Sequence, residues 1–248
     1  MTQRLALVTG GEGGIGTEIC RQLGAAGRRV VTTCLDPEAE NIEAWADGLR
    51  QAGVDASWVQ CDVSDYDACV AMADEVRERF GDVEILVNVA GITRDGFLHK
   101  MENAQWRSVI DINLNGAFNV TRQFVAGMRE QGFGRVVNIS SVNGQTGQFG
   151  QTNYSAAKAG LHGFTMALAK EGAPKGVTAN TVSPGYVKTS MTEAIPEKVR
   201  EAIVAQIPAG DMGQPADIAR AVAFLTADDA GYINGANLPV NGALFCSF

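Results

Sequence analysis

Three residues in the middle of the chain carry side chains that suit proton transfer to or from an oxygen atom. Tyr154 and Lys158 stand four residues apart in a helix-like run, so both should project from one helical face. Ser141 precedes Tyr154 by thirteen residues and follows a strand-like run. A free phenol has a pKa of about 10, and a nearby ammonium group lowers that pKa towards the working pH. The three side chains are therefore predicted to protonate a carbonyl oxygen or to deprotonate an alcohol.

A glycine-rich turn near the start of the chain predicts a dinucleotide site. The strand-like run 4–9 leads into this turn, and a helical pattern through Ile19 and Leu23 follows it. In such a strand–turn–helix unit, backbone N–H groups approach a pyrophosphate and the helix N-terminus adds partial positive charge. The residues expected to bind the dinucleotide here are Gly10, Gly14, Ile15 and Gly16.

The residues after the second predicted strand bear on the choice between NAD(H) and NADP(H). Asp36 and Glu38 follow the strand-like run 28–34, no Lys or Arg comes between that run and Arg50, and Glu12 lies in the glycine turn. An acidic residue at this place binds the ribose 2′-hydroxyl, whereas a basic residue accommodates a 2′-phosphate. The sequence therefore favours NAD(H), with Asp36 on the ribose. NADP(H) stays an open alternative, because the two acids also suit the start of a solvated helix.

Small and polar residues also follow other predicted strands. Asp62 ends the third strand and could bind an adenine amino group, although an acid in a local turn is the plainer alternative. Residues 88–91 close the fourth strand, and Pro184 and Gly185 follow the sixth. In a parallel sheet these positions share the carboxyl edge, where such folds bind their ligands.

Asn113 lies among apolar residues of a helical region that is predicted over residues 101–128. A buried amide needs hydrogen-bond partners. Two interpretations are open: a core amide that is satisfied by the backbone, or a group that positions a water molecule or Lys158.

Strand-like and helix-like segments alternate along the chain and are joined by short connections. This pattern predicts an α/β fold, with one parallel sheet and helices on both of its faces, in a single domain over residues 1–248. Residues 189–212 are polar, weakly periodic and contain proline, so we expect a mobile lid over the substrate.

Composition argues against several other classes of function. The net charge of −8 disfavours nucleic acid and anionic membranes as partners. The five Cys show no C-x-x-C spacing and the chain has two His, so no metal site is expected. No apolar run approaches the ~20 residues that span a bilayer. We expect a cytoplasmic protein, and we assign no role to His99 or His162.

Taken in order, these motifs resemble the short-chain dehydrogenase/reductase family. The matching segments are Thr9-Gly10-x-x-x-Gly14-Ile15-Gly16, Asn88-x-Ala90-Gly91, Ser141, Tyr154-x-x-x-Lys158 and Pro184-Gly185. The resemblance implies a Rossmann fold with a doubly wound, seven-stranded parallel sheet, a homotetramer, and hydride transfer to or from a nicotinamide. Beyond the glycine turn and Asp36, it implies cofactor contacts from Asp62, Val63, Asn88, Ala90, Gly91, Tyr154, Lys158, Pro184, Gly185, Val187 and Thr189.

The resemblance also implies catalytic roles. Tyr154 would give its proton to the carbonyl oxygen, and Lys158 would lower the pKa of that phenol and hold the nicotinamide ribose. Ser141 would hydrogen-bond the substrate oxygen, and Asn113 would complete the set through a water molecule. Val89 departs from the family, which usually has a second Asn there. The absence of this second amide puts one hydrogen bond near the turn in doubt.

Within that family, residues 91–95, 138–145, 148–155 and 160–168 are similar to the acetoacetyl-CoA reductases of polyhydroxybutyrate synthesis. That similarity implies an acyl-CoA substrate and reduction of acetoacetyl-CoA to (R)-3-hydroxybutyryl-CoA. The implied substrate contacts are Asp95, Ser141, Gln148, Phe149, Gln151 and Tyr186. Many such reductases use NADPH. The acidic turn after the second strand of this chain does not fit a preference for NADPH.

Other functions stay open from the sequence. A 3-oxoacyl-[acyl-carrier-protein] reductase would carry out the same chemistry on an acidic carrier protein, which a basic docking patch would favour. A non-catalytic dinucleotide sensor would not need Ser141, Tyr154 and Lys158 together. A sugar, steroid or other alcohol dehydrogenase of the same family is a further alternative.

Overall fold

The computed structural model describes residues 3–38, 41–193 and 196–246. Within these ranges, seven parallel strands form one sheet in the order β3-β2-β1-β4-β5-β6-β7. The strands are β1 (Leu5–Thr9), β2 (Arg29–Cys34), β3 (Ala56–Gln60), β4 (Val83–Asn88), β5 (Gly134–Ile139), β6 (Val177–Pro184) and β7 (Asn237–Val240). The chain starts in the middle of the sheet, builds outward to β3, and returns to build from β4 to β7. This order confirms the predicted doubly wound Rossmann fold.

Helices connect the strands and cover both faces of the sheet. They are α1 (Gly14–Ala25), α2 (Ile42–Gln51), α3 (Tyr66–Phe80), α4 (Asn103–Ile110), α5 (Gly116–Gln131), α6 (Asn143–Thr146), α7 (Thr152–Gly172), α8 (Ser190–Glu193), α9 (Glu197–Val204) and α10 (Pro215–Leu225). Among the described residues, no helix combines the length and the apolar character that crossing a membrane requires.

Side chains of the central strands alternate between two apolar cores, one on each face of the sheet. In β1, Leu5 and Leu7 belong to one core, and Ala6 and Val8 belong to the other. The first core is closed by α3, α5 and α7, and the second by α1, α2 and α10. Because successive strand residues point to opposite faces, the continuous apolar run of β1 is the pattern of a strand that is buried on both sides.

A string of buried polar side chains crosses the sheet near its carboxyl edge. Asn88 on β4 donates to Oδ1 of Asn138 on β5 at 2.8 Å, and Asn138 donates to Oγ1 of Thr165 on α7 at 2.8 Å. Thr181 on β6 donates to the same Thr165 oxygen at 2.9 Å. We call these four residues the buried polar string. A buried polar group without its partner costs free energy, so the string holds α7 against three strands.

The helical region predicted over residues 101–128 is observed as two helices joined by a π-helical turn. The turn spans Asp111–Asn115, between α4 and α5, and Asn113 lies at its centre. A π-helical turn holds more residues than an α-helical one and is often found at functional sites. The interruption therefore changes the position of Asn113 from the one that a continuous α-helix would give it.

The predicted lid, residues 189–212, contains α8 and α9, and Ala194 and Ile195 lie outside the described residues. Lys188 and Asp211, which flank most of this segment, form an ion pair at 2.5 Å. Ile207 and Met212 are buried. The later part of the segment is therefore anchored, and its mobility stays a prediction.

Candidate active site

A cleft of about 640 Å³ opens along the carboxyl edge of the sheet. Its wall is built by residues that follow β1, β3, β4, β5 and β6 and by the first turns of α7. The predicted site residues in this wall are Gly10, Gly14, Ile15, Gly16, Asp62, Val63, Ala90, Gly91, Asp95, Ser141, Gln151, Tyr154, Lys158, Pro184, Gly185, Tyr186, Val187 and Thr189. The predicted site residues outside the wall are Asp36, Asn88, Asn113, Gln148 and Phe149.

Two glycines of the turn, Gly10 and Gly16, have no room for a side chain. Gly10 has a φ of +63°, and a Cβ there would lie 3.0 Å from Cα of Ala90. A Cβ on Gly16 would lie 2.2 Å from the carbonyl oxygen of Gly10, so α1 packs directly on the turn. Gly13 faces the cleft, and the nearest atom to a Cβ there would be 3.5 Å away. The turn therefore fits a pyrophosphate at the N-terminus of α1.

The turn after β4 is held without the second Asn that the family usually has. The hydroxyl of Thr9 accepts hydrogen bonds from the backbone N–H groups of Val89 at 3.0 Å and Ala90 at 3.2 Å. The side chain of Val89 packs against the core on the α1 side. The substitution therefore leaves this turn tied to the end of β1.

Ser141, Tyr154 and Lys158 converge in the cleft. The phenol of Tyr154 lies close enough to the hydroxyl of Ser141 for that hydroxyl to lower the pKa of the phenol. Lys158 follows one turn later on α7, with its Nζ 5.6 Å from the centre of the Tyr154 ring. Its ammonium donates to the carbonyl oxygen of Ile139, at the end of β5, at 2.9 Å. The common helical face that the four-residue spacing predicts is thus observed.

Burial is the largest cause of the shifted pKa values of Tyr154 and Lys158. Burial raises the pKa of Tyr154 to about 12, the hydroxyl of Ser141 lowers it, and the charge of Asp95 raises it further. Burial also lowers the pKa of Lys158 to about 8. The sequence predicts a lowered phenol pKa, and the direction in the structure is the opposite, because loss of water around the phenol favours its neutral form. Near neutral pH Tyr154 keeps its proton, and that is the form that acts as an acid.

Asn113 is 2% exposed and lies in the π-helical turn. Its Nδ2 donates to the carbonyl oxygens of Val109 and Ile92, both at 2.9 Å. Its Oδ1 is buried and has no hydrogen-bond partner in the described part of the chain. A Cβ on Gly91 would lie 2.5 Å from this oxygen and 3.3 Å from Nζ of Lys158, so the glycine lets the two groups approach. The backbone satisfies the amide nitrogen, and the oxygen is left to face the ammonium.

Asn88 lies outside the main cleft, and its amide is used within the fold. Besides its bond in the buried polar string, its Nδ2 donates to Oγ1 of Thr121 on α5 at 3.0 Å. A small cavity of about 10 Å³ is lined by Asn88, Asn113, Thr9 and Lys158 together with apolar neighbours. This space is enough for about one water molecule, and polar groups surround it.

The end of the cleft beside β2 and β3 is neutral or acidic. It is lined by Glu12, Thr33, Leu35, Cys61 and Asp62. Asp36, which was predicted to hold the ribose, is exposed outside this wall, and its Oδ1 accepts the N–H of Glu38 at 3.1 Å. Asp62 lines the cleft and also accepts the N–H and the hydroxyl of Ser64, so it is a turn acid as well.

The predicted substrate contacts lie at the mouth of the cleft. Gln151 donates through Nε2 to Oδ2 of Asp95 at 3.0 Å. Gln148 lies outside the wall but donates to the hydroxyl of Tyr186, which lines it, at 3.4 Å. Phe149 is 87% exposed. Asp95, Gln151 and Tyr186 therefore line the cleft, and Gln148 and Phe149 lie outside its wall.

Sequence reasoning missed Asn143 as a member of the site. Its Nδ2 donates to Oε1 of Gln151 at 2.9 Å, and its backbone N–H donates to Oγ of Ser141 at 3.1 Å. The signal that could have identified it is its position, two residues after Ser141 in the loop that follows a strand.

Comparison with known proteins agrees with the fold and the motifs. Residues 4–200 match the family described as short chain dehydrogenase. The chain is similar to the acetoacetyl-CoA reductase of Allochromatium vinosum, with 58% identity over 242 residues that cover 98% of each protein. It is also similar to the 3-oxoacyl-[acyl-carrier-protein] reductase of Pseudomonas aeruginosa, with 42% identity over 244 residues that cover 98% of each.

A solved structure gives the same result for the fold. The actinorhodin polyketide ketoreductase with NADPH superposes with a TM-score of 0.93 at 38% sequence identity, over 98% of this chain and 97% of that one. Strands β1 to β6, the glycine turn and the Ser–Tyr–Lys arrangement lie within the residues that the family matches. The chain therefore belongs to the short-chain dehydrogenase family, and it is an oxidoreductase that uses a nicotinamide dinucleotide.

Proposed function

We propose that this protein reduces the 3-keto group of acetoacetyl-CoA to give (R)-3-hydroxybutyryl-CoA, as a step of polyhydroxyalkanoate synthesis. The observation that carries the proposal is the convergence of Ser141, Tyr154 and Lys158 in the cleft that also contains the glycine turn. The relative at 58% identity, which is named an acetoacetyl-CoA reductase, supports this choice of substrate.

The bound dinucleotide supplies the hydride that reduces the carbonyl carbon. The task of the protein is to hold the carbonyl oxygen and to protonate it. A ketone oxygen placed between Ser141 and Tyr154 accepts a hydrogen bond from each hydroxyl. Burial raises the pKa of Tyr154 to about 12, so the phenol holds its proton at neutral pH and can donate a hydrogen bond to the ketone oxygen. The phenolate left behind is then favoured by the ammonium of Lys158.

Lys158 is proposed to pass a proton to the Tyr154 phenolate and to regain one from solvent through a water molecule, which Oδ1 of Asn113 would hold by accepting a hydrogen bond. Lys158 lines both the main cleft and the small polar cavity, and Oδ1 of Asn113 faces the same cavity. A water molecule in that cavity would connect the ammonium to the amide oxygen. Lys158 would also hold the nicotinamide ribose, since its Nζ is directed into the cleft beside Gly91.

We propose NAD(H) as the preferred dinucleotide. Among the described residues of the cleft wall, Lys158 is the one cation, and carboxyl groups of Glu12 and Asp62 line the end beside β2 and β3. A 2′-phosphate at that end would face negative rather than positive charge. The ketoreductase at 38% identity was solved with NADPH, so membership of the family does not decide the preference.

A homotetramer is proposed from the outer faces of three helices. Trp106 on α4, Phe118 on α5 and Met166 on α7 are exposed. Large apolar side chains that are exposed on neighbouring helices often mark contacts between copies of a chain. Light scattering behind size-exclusion chromatography should give four times the chain mass. The mass of a monomer would contradict this part of the proposal.

Tyr154→Phe tests the assigned acid because it removes the phenol oxygen and keeps the ring. Turnover of acetoacetyl-CoA should fall by at least about 10²-fold, which is the usual contribution of a general acid. Binding of NADH, followed by its fluorescence, should stay close to that of the unmodified protein. Tyr232→Phe is the matched control, since Tyr232 is fully exposed. Near-normal turnover by Tyr154→Phe would refute the proposal.

A 3-oxoacyl-[acyl-carrier-protein] reductase is the second candidate, and the relative at 42% identity favours it. The same phenol, hydroxyl and ammonium would act on the same 3-keto group, so the cleft itself does not separate the two carriers. Comparing kcat/KM for acetoacetyl-CoA with that for the acetoacetyl carrier protein does so. A clear preference for the carrier protein would replace the first proposal by the second.

A further inference from the structure

Three side chains form a hydrogen-bonded chain along the mouth of the cleft, and it ends at Ser141. Gln151 donates through Nε2 to Oδ2 of Asp95 at 3.0 Å. Asn143 donates through Nδ2 to Oε1 of Gln151 at 2.9 Å. The backbone N–H of Asn143 then donates to Oγ of Ser141 at 3.1 Å. Asp95, Gln151 and Asn143 together are the amide chain, and all three line the cleft.

The carboxylate at one end fixes the direction of each side-chain bond. An ionised carboxylate only accepts hydrogen bonds, so Gln151 must turn its NH₂ group to Asp95 and its carbonyl oxygen to Asn143. Asn143 must then present its own NH₂ group to Gln151. A flipped amide at either position would bring two acceptors or two donors face to face. The orientation of both amides therefore follows from Asp95.

The last bond of the amide chain limits what the Ser141 hydroxyl can do. Its oxygen accepts the N–H of Asn143, so one lone pair and the hydroxyl hydrogen are left for Tyr154 and for a substrate oxygen. A ketone oxygen has no hydrogen and can only accept. A Ser141 hydroxyl that accepts from the backbone on one side and donates on the other is oriented as a ketone requires.

The amide chain also ties together the loops that carry the reacting groups. Asp95 comes from the loop after β4, Asn143 is the first residue of α6, which follows β5, and Gln151 immediately precedes α7. A backbone bond from Gly96 to Gly150 at 2.8 Å joins the first and last of these loops. The spacing between the Ser141 hydroxyl and the start of the Tyr154 helix is thereby held from two sides.

We propose that Asp95, Gln151 and Asn143 are positioning residues, which hold the oxygen of Ser141 at the place where its hydroxyl can donate to a ketone and keep a negative charge beside Tyr154. The inference rests on the proposed function, because that function assigns Ser141 and Tyr154 to the ketone oxygen. It differs from the substrate-contact role that the sequence predicts for Asp95 and Gln151, in which their main effect would be on affinity for the thioester.

Three elements bring ionisable groups to Tyr154. These groups are Asp95 from the loop after β4, Lys158 from the next turn of α7, and Tyr186 from the loop after β6. Burial is the main cause of the raised pKa of both Tyr154 and Tyr186, and the charge of Asp95 raises both further. Lys158 acts in the opposite direction. Ketone reduction needs protonated Tyr154 and alcohol oxidation needs its phenolate, so Asp95 favours reduction.

Two variants separate the two parts of this role. Gln151→Leu breaks the amide chain and keeps the charge of Asp95, so kcat for acetoacetyl-CoA reduction should fall on the order of tenfold, with an unchanged pH profile. Asp95→Asn removes the charge, while its amide oxygen can still accept from Gln151. It should keep most of its kcat for reduction near neutral pH, and the pH midpoint for oxidation of (R)-3-hydroxybutyryl-CoA should move lower.

A spectroscopic titration reads Tyr154 without any turnover. The phenolate absorbance of each protein, minus that of the same protein carrying Tyr154→Phe, follows the ionisation of Tyr154 alone. Asp95→Asn should move this midpoint to lower pH, and Gln151→Leu should leave it in place. Asp74→Asn and Gln131→Leu, both on exposed residues, are matched controls that should leave kcat and the midpoint unchanged.

The results distinguish failure of the amide chain from failure of the proposed function. Turnover of acetoacetyl-CoA by the unmodified protein tests the function, and the spectroscopic titration does not depend on it. A raised KM with normal kcat in Gln151→Leu would make Gln151 a substrate contact and would overturn the positioning role. An unchanged Tyr154 midpoint in Asp95→Asn would overturn the role of the charge.

Discussion

Lys158 places an ammonium group in the interior of the protein, and its removal should stabilise the fold. The residue is 3% exposed, and its ammonium donates to the carbonyl oxygen of Ile139. Burial lowers its pKa from 10.5 to about 8. Each tenfold change in proton affinity corresponds to about 1.4 kcal/mol, so burial disfavours the charged form by about 3 kcal/mol. Lys158→Met puts an apolar chain of similar length in its place and should raise the free energy of unfolding at pH 7 by up to about 3 kcal/mol.

The size of this gain depends on pH in a direction that the two pKa values fix. Between the folded pKa of about 8 and the unfolded pKa of 10.5, the unfolded chain holds the proton of Lys158 and the folded chain has lost it. The stability of the unmodified protein therefore rises with pH across this window. The variant has no such rise. The difference between the two proteins should be largest below pH 8 and should shrink towards zero near pH 10.5.

Urea unfolding without cofactor, followed by tryptophan fluorescence at pH 7 and pH 10, measures both effects. Lys170→Met is the matched control, because Lys170 is exposed on the same helix and its loss should change stability by no more than about 0.5 kcal/mol. Lys158→Met should also lose turnover, since the phenolate would lose its cation. The reasoning would be refuted if Lys158→Met were no more stable than the unmodified protein at pH 7, or if its advantage did not shrink with pH.

Two further predictions concern the dinucleotide site. Gly16→Ala places a methyl group 2.2 Å from the Gly10 carbonyl oxygen, so it should weaken NADH binding and lower the free energy of unfolding by about 1–3 kcal/mol. Gly163→Ala, where no atom lies within 4 Å, should raise that free energy by about 0.5–1 kcal/mol, and equal urea midpoints for the two variants would contradict the argument. NADH should give a higher kcat/KM than NADPH, and Leu35→Arg in the cleft wall should raise kcat/KM for NADPH about tenfold through a charged hydrogen bond. A preference of the unmodified protein for NADPH would count against the electrostatic reasoning.

The parts of the molecule that sequence predicts well are those with local, periodic signals. The apolar run of β1 indicates a strand buried on both faces, and the four-residue spacing of Tyr154 and Lys158 fixes their common helical face. The ends of parallel strands must meet at one edge, so Ser141 and the glycine turn could be placed in one cleft before any coordinates were known.

The parts that sequence predicts poorly depend on the paths of loops and on burial. Asn143 joins the site through an amide contact with Gln151, and no periodic pattern signals such a contact. Asp36 was expected to hold the ribose, but the turn after β2 leaves it exposed outside the cleft wall. The spacing of Tyr154 and Lys158 shows a cation near a phenol and does not show how much water the fold removes from both. That loss of water reverses the expected direction of the Tyr154 pKa.

The buried polar string limits which amino-acid substitutions the interior of this protein can accept without loss of function. A purely apolar interior accepts many combinations of side chains of the right volume, and it loses a unique arrangement before it loses stability. Hydrogen bonds have a preferred direction and length. The contacts of Asn138 and Thr181 with Thr165 therefore allow only one position of α7 along the sheet. A slip of one helical turn would carry the Tyr154 phenol about 5 Å from its place. Proteins with apolar replacements along the string would therefore fold and still bind a dinucleotide. Their Tyr154 phenol would no longer lie next to the substrate oxygen that it must protonate.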